Sequence, residues 1–320
     1  MRIVVTGAAG FIGSHVAEAL SVAGHEVLAV DAPARSLAPD AARRAWAGLA
    51  ARPGITTVEA DLAVDELDGL AEADAVVHLA GRPGVRSSWG PGRAIAARDN
   101  VTATRRLLQA CARRRPRVIV ASSSSVYGSA GRQRPSREDD PLAPASPYAQ
   151  SKVEVERLAL RAAGDGVPAV LLRYFSVYGA RQRPDMAFHR FIEAALDGRP
   201  LPMFGDGSRS RSFTHVDDVV TATLAAVTAE LPPGVAINVG HPEPVDVRSA
   251  IDRLASVLGV PLRIGSRAPV AGDAARTWAD TRRARGLLGW TAATGLTEGL
   301  TAQIAWHRAL RAPADTAEVA

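Results

Sequence analysis

Arg2-Ile3-Val4-Val5-Thr6-Gly7-Ala8-Ala9-Gly10-Phe11-Ile12-Gly13 opens the chain. A short β-branched run of this kind reads as a parallel strand buried on both faces. It runs directly into a G-x-x-G-x-x-G turn, and Phe11 to Ala23 then reads as a helix ended by Gly24. Glycines between a strand and a helix let the backbone turn tightly and approach a pyrophosphate, which rests on the helix N-terminus. A bare glycine pattern carries little weight; its place, directly after a strand and opening a helix, carries more. Val27 to Val30 reads as the next strand and ends at Asp31. An acid there accepts hydrogen bonds from the ribose hydroxyls of NAD and repels the extra phosphate of NADP. Arg35 follows closely and works against that preference.

The same alternation continues. Ile55–Glu59, Ala75–Leu79, Val118–Ala121 and Ala169–Arg173 read as strands, while 93–115 and 147–163 read as helices. Strands alternating with helices predict an α/β fold with a doubly wound parallel sheet. After residue 175, prolines and glycines crowd 179–207 and 232–272, so this half reads as loop-rich, with 235–239 as one more strand. No internal repeat is evident.

Bulk properties narrow the possibilities. A chain of 320 residues with 47% hydrophobic content can build one large unit or two intimate domains. It has no apolar run long enough to span a membrane, and glycines interrupt the apolar start, which therefore reads as strand and helix rather than a signal peptide. The lone Cys111 reads as a buried small hydrophobe, and a cytoplasmic location follows. The net charge is +5, but the arginines are scattered and aromatics, at 5%, do not interleave with them, which excludes a nucleic-acid partner; an anionic small substrate remains compatible. The seven histidines show no metal-ligand spacing.

The chain has a single lysine, Lys152, among 38 basic residues. It stands four residues after Tyr148 in Ser146-Pro147-Tyr148-Ala149-Gln150-Ser151-Lys152. Where only positive charge is needed this chain uses arginine, so the lone ammonium marks a role a guanidinium cannot fill. On a helix the two side chains share one face, one turn apart.

These stretches together resemble the extended short-chain dehydrogenases/reductases of the nucleotide-sugar epimerase/dehydratase group. The resemblance rests on Gly7–Gly13, Asp61-Leu62, His78-Leu79-Ala80, Ser122–Gly128, Tyr148–Lys152, Arg173–Gly179, Arg183–Phe188, Phe204–Gly207 and Phe213–Asp218, in the family's order along nearly the whole chain. It implies a Rossmann domain (1–175 plus about 213–240) and a smaller substrate domain (176–212 plus about 241–311), while the composition of 312–320 reads as a disordered tail. It also implies a homodimer formed through the helices near 93–115 and 147–163.

The implied catalytic set is Tyr148 as base, Lys152 as its charge partner, and Ser123, four residues before Tyr127, as hydrogen-bond donor to the reacting oxygen. A free tyrosine has a pKa of about 10; Lys152 and a positive nicotinamide are expected to move it toward neutrality. The implied NAD contacts are Gly7, Gly10, Phe11, Ile12, Gly13, Asp31, Asp61, Leu62, Leu79, Ala80, Gly81, Asn100, Tyr148, Lys152 and Tyr174. The implied UDP-sugar contacts are Arg86, Ser123, Ser124, Ser125, Tyr148, Ser176, Arg183, Arg190 and Arg211.

Related dehydratases and decarboxylases carry acids directly after the catalytic serine, where this chain has Ser124 and Ser125. The resemblance therefore points to C4 epimerisation. Ser122–Ser125, Gly84-Val85-Arg86 and the 173–179 and 183–187 stretches are similar to UDP-glucuronate 4-epimerases. Hydroxyls at 124, 125 and 176 are suited to hold a sugar carboxylate and oppose its loss as carbon dioxide. Arg183 has two open roles, at that carboxylate or at the diphosphate. A UDP-glucose 4-epimerase, a 4-keto-sugar reductase and a dinucleotide sensor without turnover remain as alternatives. The chain departs from the family pattern at Ser212 and in 268–273, which lacks an arginine before Gly272-Asp273; Arg267 and Arg276 are candidate substitutes.

Overall fold

The computed structural model describes residues 1–128, 133–268 and 272–312. Seven strands form one sheet: β1 (Arg2–Thr6), β2 (Glu26–Asp31), β3 (Ile55–Glu59), β4 (Ala75–His78), β5 (Arg117–Ser123), β6 (Ala169–Tyr174) and β7 (Ala236–Val239). Their spatial order is β7-β6-β5-β4-β1-β2-β3, and every neighbouring pair is parallel. The order reverses between β1 and β4, and in open α/β sheets that reversal leaves a crevice at the strands' carboxyl ends.

Ile3, Val4 and Val5 are fully buried, which explains the unbroken apolar run. Fully burying such side chains contributes about 1.5–3 kcal/mol each. One face of the sheet packs against α1 (Phe11–Val22) and the Val216–Thr228 helix, through Val16, Leu20, Val219 and Ala226. The other face packs against the helices Ala103–Cys111 and Pro147–Gly164, through Leu107, Val155 and Ala159. Cys111 is fully buried, and burial pushes its thiol up to about 12. His78 is also a core residue: its ring nitrogens bond Thr6 and Thr104, and burial holds its pKa down to about 3.

The expected helix over 93–115 is shorter and less regular. It runs Gly92–Ala96, loosens into a π-turn over Ala97–Thr102, and resumes over Ala103–Cys111. Beyond residue 175 the proline and glycine density conceals several helices: Ala187–Leu196, Val216–Thr228, Val247–Leu258, Arg282–Leu288 and Leu296–Arg311. Amphipathic segments between those breakers bury Phe188, Ile192, Leu254 and Leu300 in a third core cluster. Ala284 and Trp290 instead join the core beneath the sheet, so 241–311 does not pack as one block. The expected tail lies almost wholly outside the described residues, since only Ala312 of it is described.

Candidate active site

A cleft of about 500 Å³ opens at the carboxyl ends of β1 and β4, within the 300–1,000 Å³ range of small-molecule sites. Its floor begins at the first turn. Gly7 has φ +73°, and a Cβ there would lie 2.6 Å from the Ala80 backbone nitrogen. A Cβ on Gly13 would overlap the Gly7 carbonyl oxygen. The turn and the start of α1 thus pack too closely for any side chain, leaving a bare backbone cradle of the kind a pyrophosphate needs.

Asp31 lies at the far end of β2 and lines the cleft. Its two carboxylate oxygens accept from the Ala9 and Ala32 amides, at 2.8 and 2.7 Å. Burial raises its pKa, and the two amide bonds only partly oppose this. Arg35 also lines the cleft, but its guanidinium is paired with Asp61 and Asp99, at 3.2 Å each. Arg82 and Arg98 pair with the same acids. Arg35 is therefore tied into a network of three arginines on two carboxylates, which keeps a net positive charge.

Ser146 caps the Pro147–Gly164 helix by accepting from the Ala149 amide at 3.1 Å, and Pro147 fixes its first turn. This sets Tyr148 and Lys152 on the cleft wall. Lys152 is buried, and its ammonium donates to the Ala121 carbonyl oxygen at 2.8 Å. Burial lowers its pKa to about 8, with Glu156 acting in the opposite direction. Ser123 ends β5 and lines the cleft with Tyr148, and its hydroxyl oxygen accepts from the Ser125 amide at 3.2 Å.

The direction of the phenol's shift differs from the expectation. Burial raises the Tyr148 pKa, and the nearby Ser123 hydroxyl and Arg183 charge offset only part of that. Lys152 is engaged with the backbone of β5 rather than acting as the phenol's main counter-charge.

Among the other residues singled out from sequence, Gly10, Phe11, Ile12, Asp61, Leu62, Leu79, Ala80, Gly81, Tyr174, Ser124, Ser125, Ser176, Arg183 and Arg211 also line the cleft. Ser125 Oγ is shielded from solvent and has no hydrogen-bond partner. Tyr174 bonds Thr223 at 2.8 Å. Arg183 makes a two-pronged pair with Asp185, at 2.9 and 3.0 Å.

Three stand elsewhere. Asn100 is buried behind the wall, accepting from the Arg82 amide and donating to Ser151. The guanidiniums of Arg86 and Arg190 lie over the Phe204 ring, 4.2 and 5.4 Å from its centre, and neither residue is on the cleft lining. Of the suggested substitutes in the second half, Arg276 bonds Ser210 and Arg267 lines a separate hollow with Arg190.

Sequence reasoning also missed Asp273. It lines the cleft and pairs with Arg211 at 2.7 Å and Arg209 at 3.0 Å. Nothing in the linear spacing brings 209–211 beside 273. His189, Glu193 and His307 likewise converge, with one possible ligand atom from each lying within 4.8 Å of the others. Arg311 already pairs with Glu193, and Arg190, Arg199 and Arg267 line the adjoining hollow, a setting that repels a divalent cation.

Residues 3–240 match the model of the NAD dependent epimerase/dehydratase family. The chain belongs to that family. A Bacillus subtilis protein described as an uncharacterised UDP-glucose epimerase is 38% identical across 97% of this chain and 99% of its own length. A UDP-glucuronate 4-epimerase of Thermodesulfobacterium geofontis is 33% identical, with 95% of each chain covered. The crystal structure of UDP-glucuronic acid 4-epimerase from Bacillus cereus, in complex with UDP-glucuronic acid and NAD, superposes with a TM-score of 0.92 at 36% identity, covering 97% of this chain and 100% of that one. The fold is the family's Rossmann-type α/β architecture, and its cofactor is NAD. No helix among the described residues is long and apolar enough to cross a membrane.

Proposed function

We propose that this protein interconverts UDP-glucuronate and UDP-galacturonate by inverting C4 through a transient 4-keto sugar. The observation that carries this reading is the Ser123–Ser125 corner. It brings Ser123, Ser124 and Ser125 onto the cleft lining with Tyr148, with no carboxylate in the run to drive elimination or decarboxylation.

The bare glycine turn, with Asp31 across the cleft, fits NAD: amides for the pyrophosphate and a carboxylate for the ribose hydroxyls. Bound NAD supplies a reversible hydride acceptor for C4. Tyr148 takes the proton of the C4 hydroxyl and later returns it. Ser123 hydrogen-bonds the same oxygen and so holds it at the phenol. Lys152 keeps positive charge at the pocket floor, which favours the phenolate. Ser124, Ser125 and Ser176 hold the sugar carboxylate by neutral hydrogen bonds, which resist its departure. Arg211 serves the diphosphate, with Asp273 between it and Arg209. Arg86 and Arg190 lie over Phe204, off the cleft lining, as a cationic patch that could meet the nucleotide end only beyond the cleft itself.

The two lobes are 1–175 plus about 213–240 and 176–212 plus about 241–311, with Ala284 and Trp290 packed back on the first. A cytoplasmic homodimer completes the proposal, its interface on the Gly92–Cys111 and Pro147–Gly164 helices, where Ile95 and Leu160 are exposed.

A second reading, UDP-glucose 4-epimerase, draws on one observation. Arg183 is already neutralised by Asp185, so the sugar pocket offers neutral donors that accept an alcohol as readily as a carboxylate. Incubating the protein with UDP-glucuronate and UDP-glucose separately and resolving the product isomers decides between them. Turnover of UDP-glucose alone overturns the uronate assignment, and turnover of neither overturns both.

A further inference from the structure

The first turn of the Pro147–Gly164 helix leaves one amide with no local acceptor, and it belongs to Tyr148. Pro147 carries no N–H. Ser146 accepts from Ala149 through its hydroxyl and from Gln150 through its carbonyl. The Tyr148 amide is met from another part of the chain, donating to the Ser88 hydroxyl at 3.1 Å. That hydroxyl gives its own proton to the Val85 carbonyl at 2.8 Å, which leaves its oxygen free to accept. Ser88 is 3% exposed, so water does not replace this bond.

Ser88 ends a short turn, Arg86–Ser88, that touches the second lobe on both sides. On one side the Arg86 guanidinium lies over Phe204, 4.2 Å from the ring centre. On the other, Trp89 lies against Gly272. A Cβ built on Gly272 would stand 3.2 Å from Trp89 Cζ2, 3.1 Å from the Ala145 carbonyl oxygen and 3.4 Å from Ser146 Cβ. The chain at Gly272 is thus held between the indole and the residues that lead into the tyrosine helix. The next residue is Asp273, the partner of Arg211 and Arg209.

We infer that Ser88 is a positioning residue for Tyr148, and that Trp89, seated on Gly272, ties that position to the second lobe. The inference rests on the epimerase reading for the use of the phenol. The Ser88 bond fixes the peptide group from which the tyrosine side chain leaves, and with it the reach of the phenol into the cleft. Proton and hydride transfer are sensitive to that reach, since a misplacement of about 1 Å costs about 10²-fold in rate. Two adjacent residues of one turn therefore serve both partners: Ser88 holds the base, and Trp89 holds the segment carrying Asp273, to which the proposed diphosphate arginine is paired.

The chain has four tyrosines, so 15N-tyrosine labelling of the NAD-loaded full-length protein gives four amide resonances. The one lost in Tyr148→Phe is that of Tyr148. The test variants are Ser88→Ala and Trp89→Ala; Trp89 is 44% exposed, so its truncation leaves the core intact. In each, the Tyr148 amide exchanges with solvent about tenfold faster, the worth of one lost hydrogen bond, while the amides of Tyr127, Tyr174 and Tyr178 keep their native rates. In Ser88→Ala, kcat falls by about 10–100-fold, with NAD affinity and the KM for the UDP-sugar near native. Adding Trp89→Ala lowers kcat no further, because both changes act through one bond. Native kcat in folded Ser88→Ala overturns the positioning role. Native Tyr148 exchange in Trp89→Ala overturns the tie to the second lobe, and so does equal acceleration of all four amides, which marks a general loosening of the fold. The exchange measurement needs no turnover, so it decides the inference even where neither UDP-sugar reacts, the result that defeats the epimerase reading.

Discussion

The ammonium of Lys152 donates to the carbonyl oxygen of Ala121 at 2.8 Å, which fastens the tyrosine-bearing helix to the end of β5. This bond ties the helix of Tyr148, the proposed base, to the strand that ends at Ser123. Arginine at this position would place a broad planar fork where a compact charge fits. Lys152→Arg and Lys152→Ala are each expected to lower kcat by about 10²–10⁴, the usual weight of an acid–base group. Steady-state kinetics with saturating NAD checks this, and native kcat in Lys152→Arg would remove the requirement for lysine.

Tyr148 is the proposed base, so Tyr148→Phe is expected to cost about 10²–10⁴ in turnover. The phenyl ring keeps the packing, and NAD content measured on the purified variant should stay near native. Retained activity would assign the proton transfer to another group.

The Lys152 pKa of about 8 sets a pH dependence. Activity falls as pH rises through that value and the ammonium is lost. Stability moves the other way. The native lysine holds its proton less tightly than the unfolded chain, whose value is 10.5, so stability rises with pH between about 8 and 10.5. A kcat/KM profile and denaturation midpoints over that window should show the opposite trends, and parallel trends would count against a depressed lysine.

Asp31 accepts from Ala9 and Ala32 and faces the cleft, while Arg35 is paired with Asp61 and Asp99. Asp31→Asn is expected to weaken NAD binding by about 10–100-fold, the worth of hydrogen bonds to a charged group, and to narrow the preference over NADP. Titrations with both dinucleotides measure it. Because burial raises the Asp31 pKa, native NAD affinity should begin to fall on acidification above the ordinary carboxylate range.

Gly13 packs against the carbonyl of Gly7 with no room for a methyl. Gly13→Ala is expected to displace the turn and weaken NAD binding by at least about tenfold, since a well-placed pyrophosphate contact is worth more than 1.4 kcal/mol. NAD retained through purification at native stoichiometry would show that the turn can yield.

The sequence by itself determined the parallel sheet, the phosphate turn and the Tyr148–Lys152 pair. Each is written in local spacing: β-branched runs buried on both faces, glycines where two backbones meet, and side chains one helical turn apart. It also signalled Ser123 through its distance from Tyr127, because both lie on one strand and the turn that follows it.

Only the tertiary structure decided which charges meet. Asp273 reaches Arg209 and Arg211 across more than sixty residues, and Glu156 reaches Arg173 from the helix before β6. Arg35 proved to be tied to Asp61 and Asp99, and Arg86 and Arg190 to gather on Phe204 rather than on the cleft wall. The Tyr148 shift was likewise invisible in the sequence. A pKa depends on how much solvent the fold removes and which charges it brings near, and neither is encoded in the spacing of neighbours along the chain.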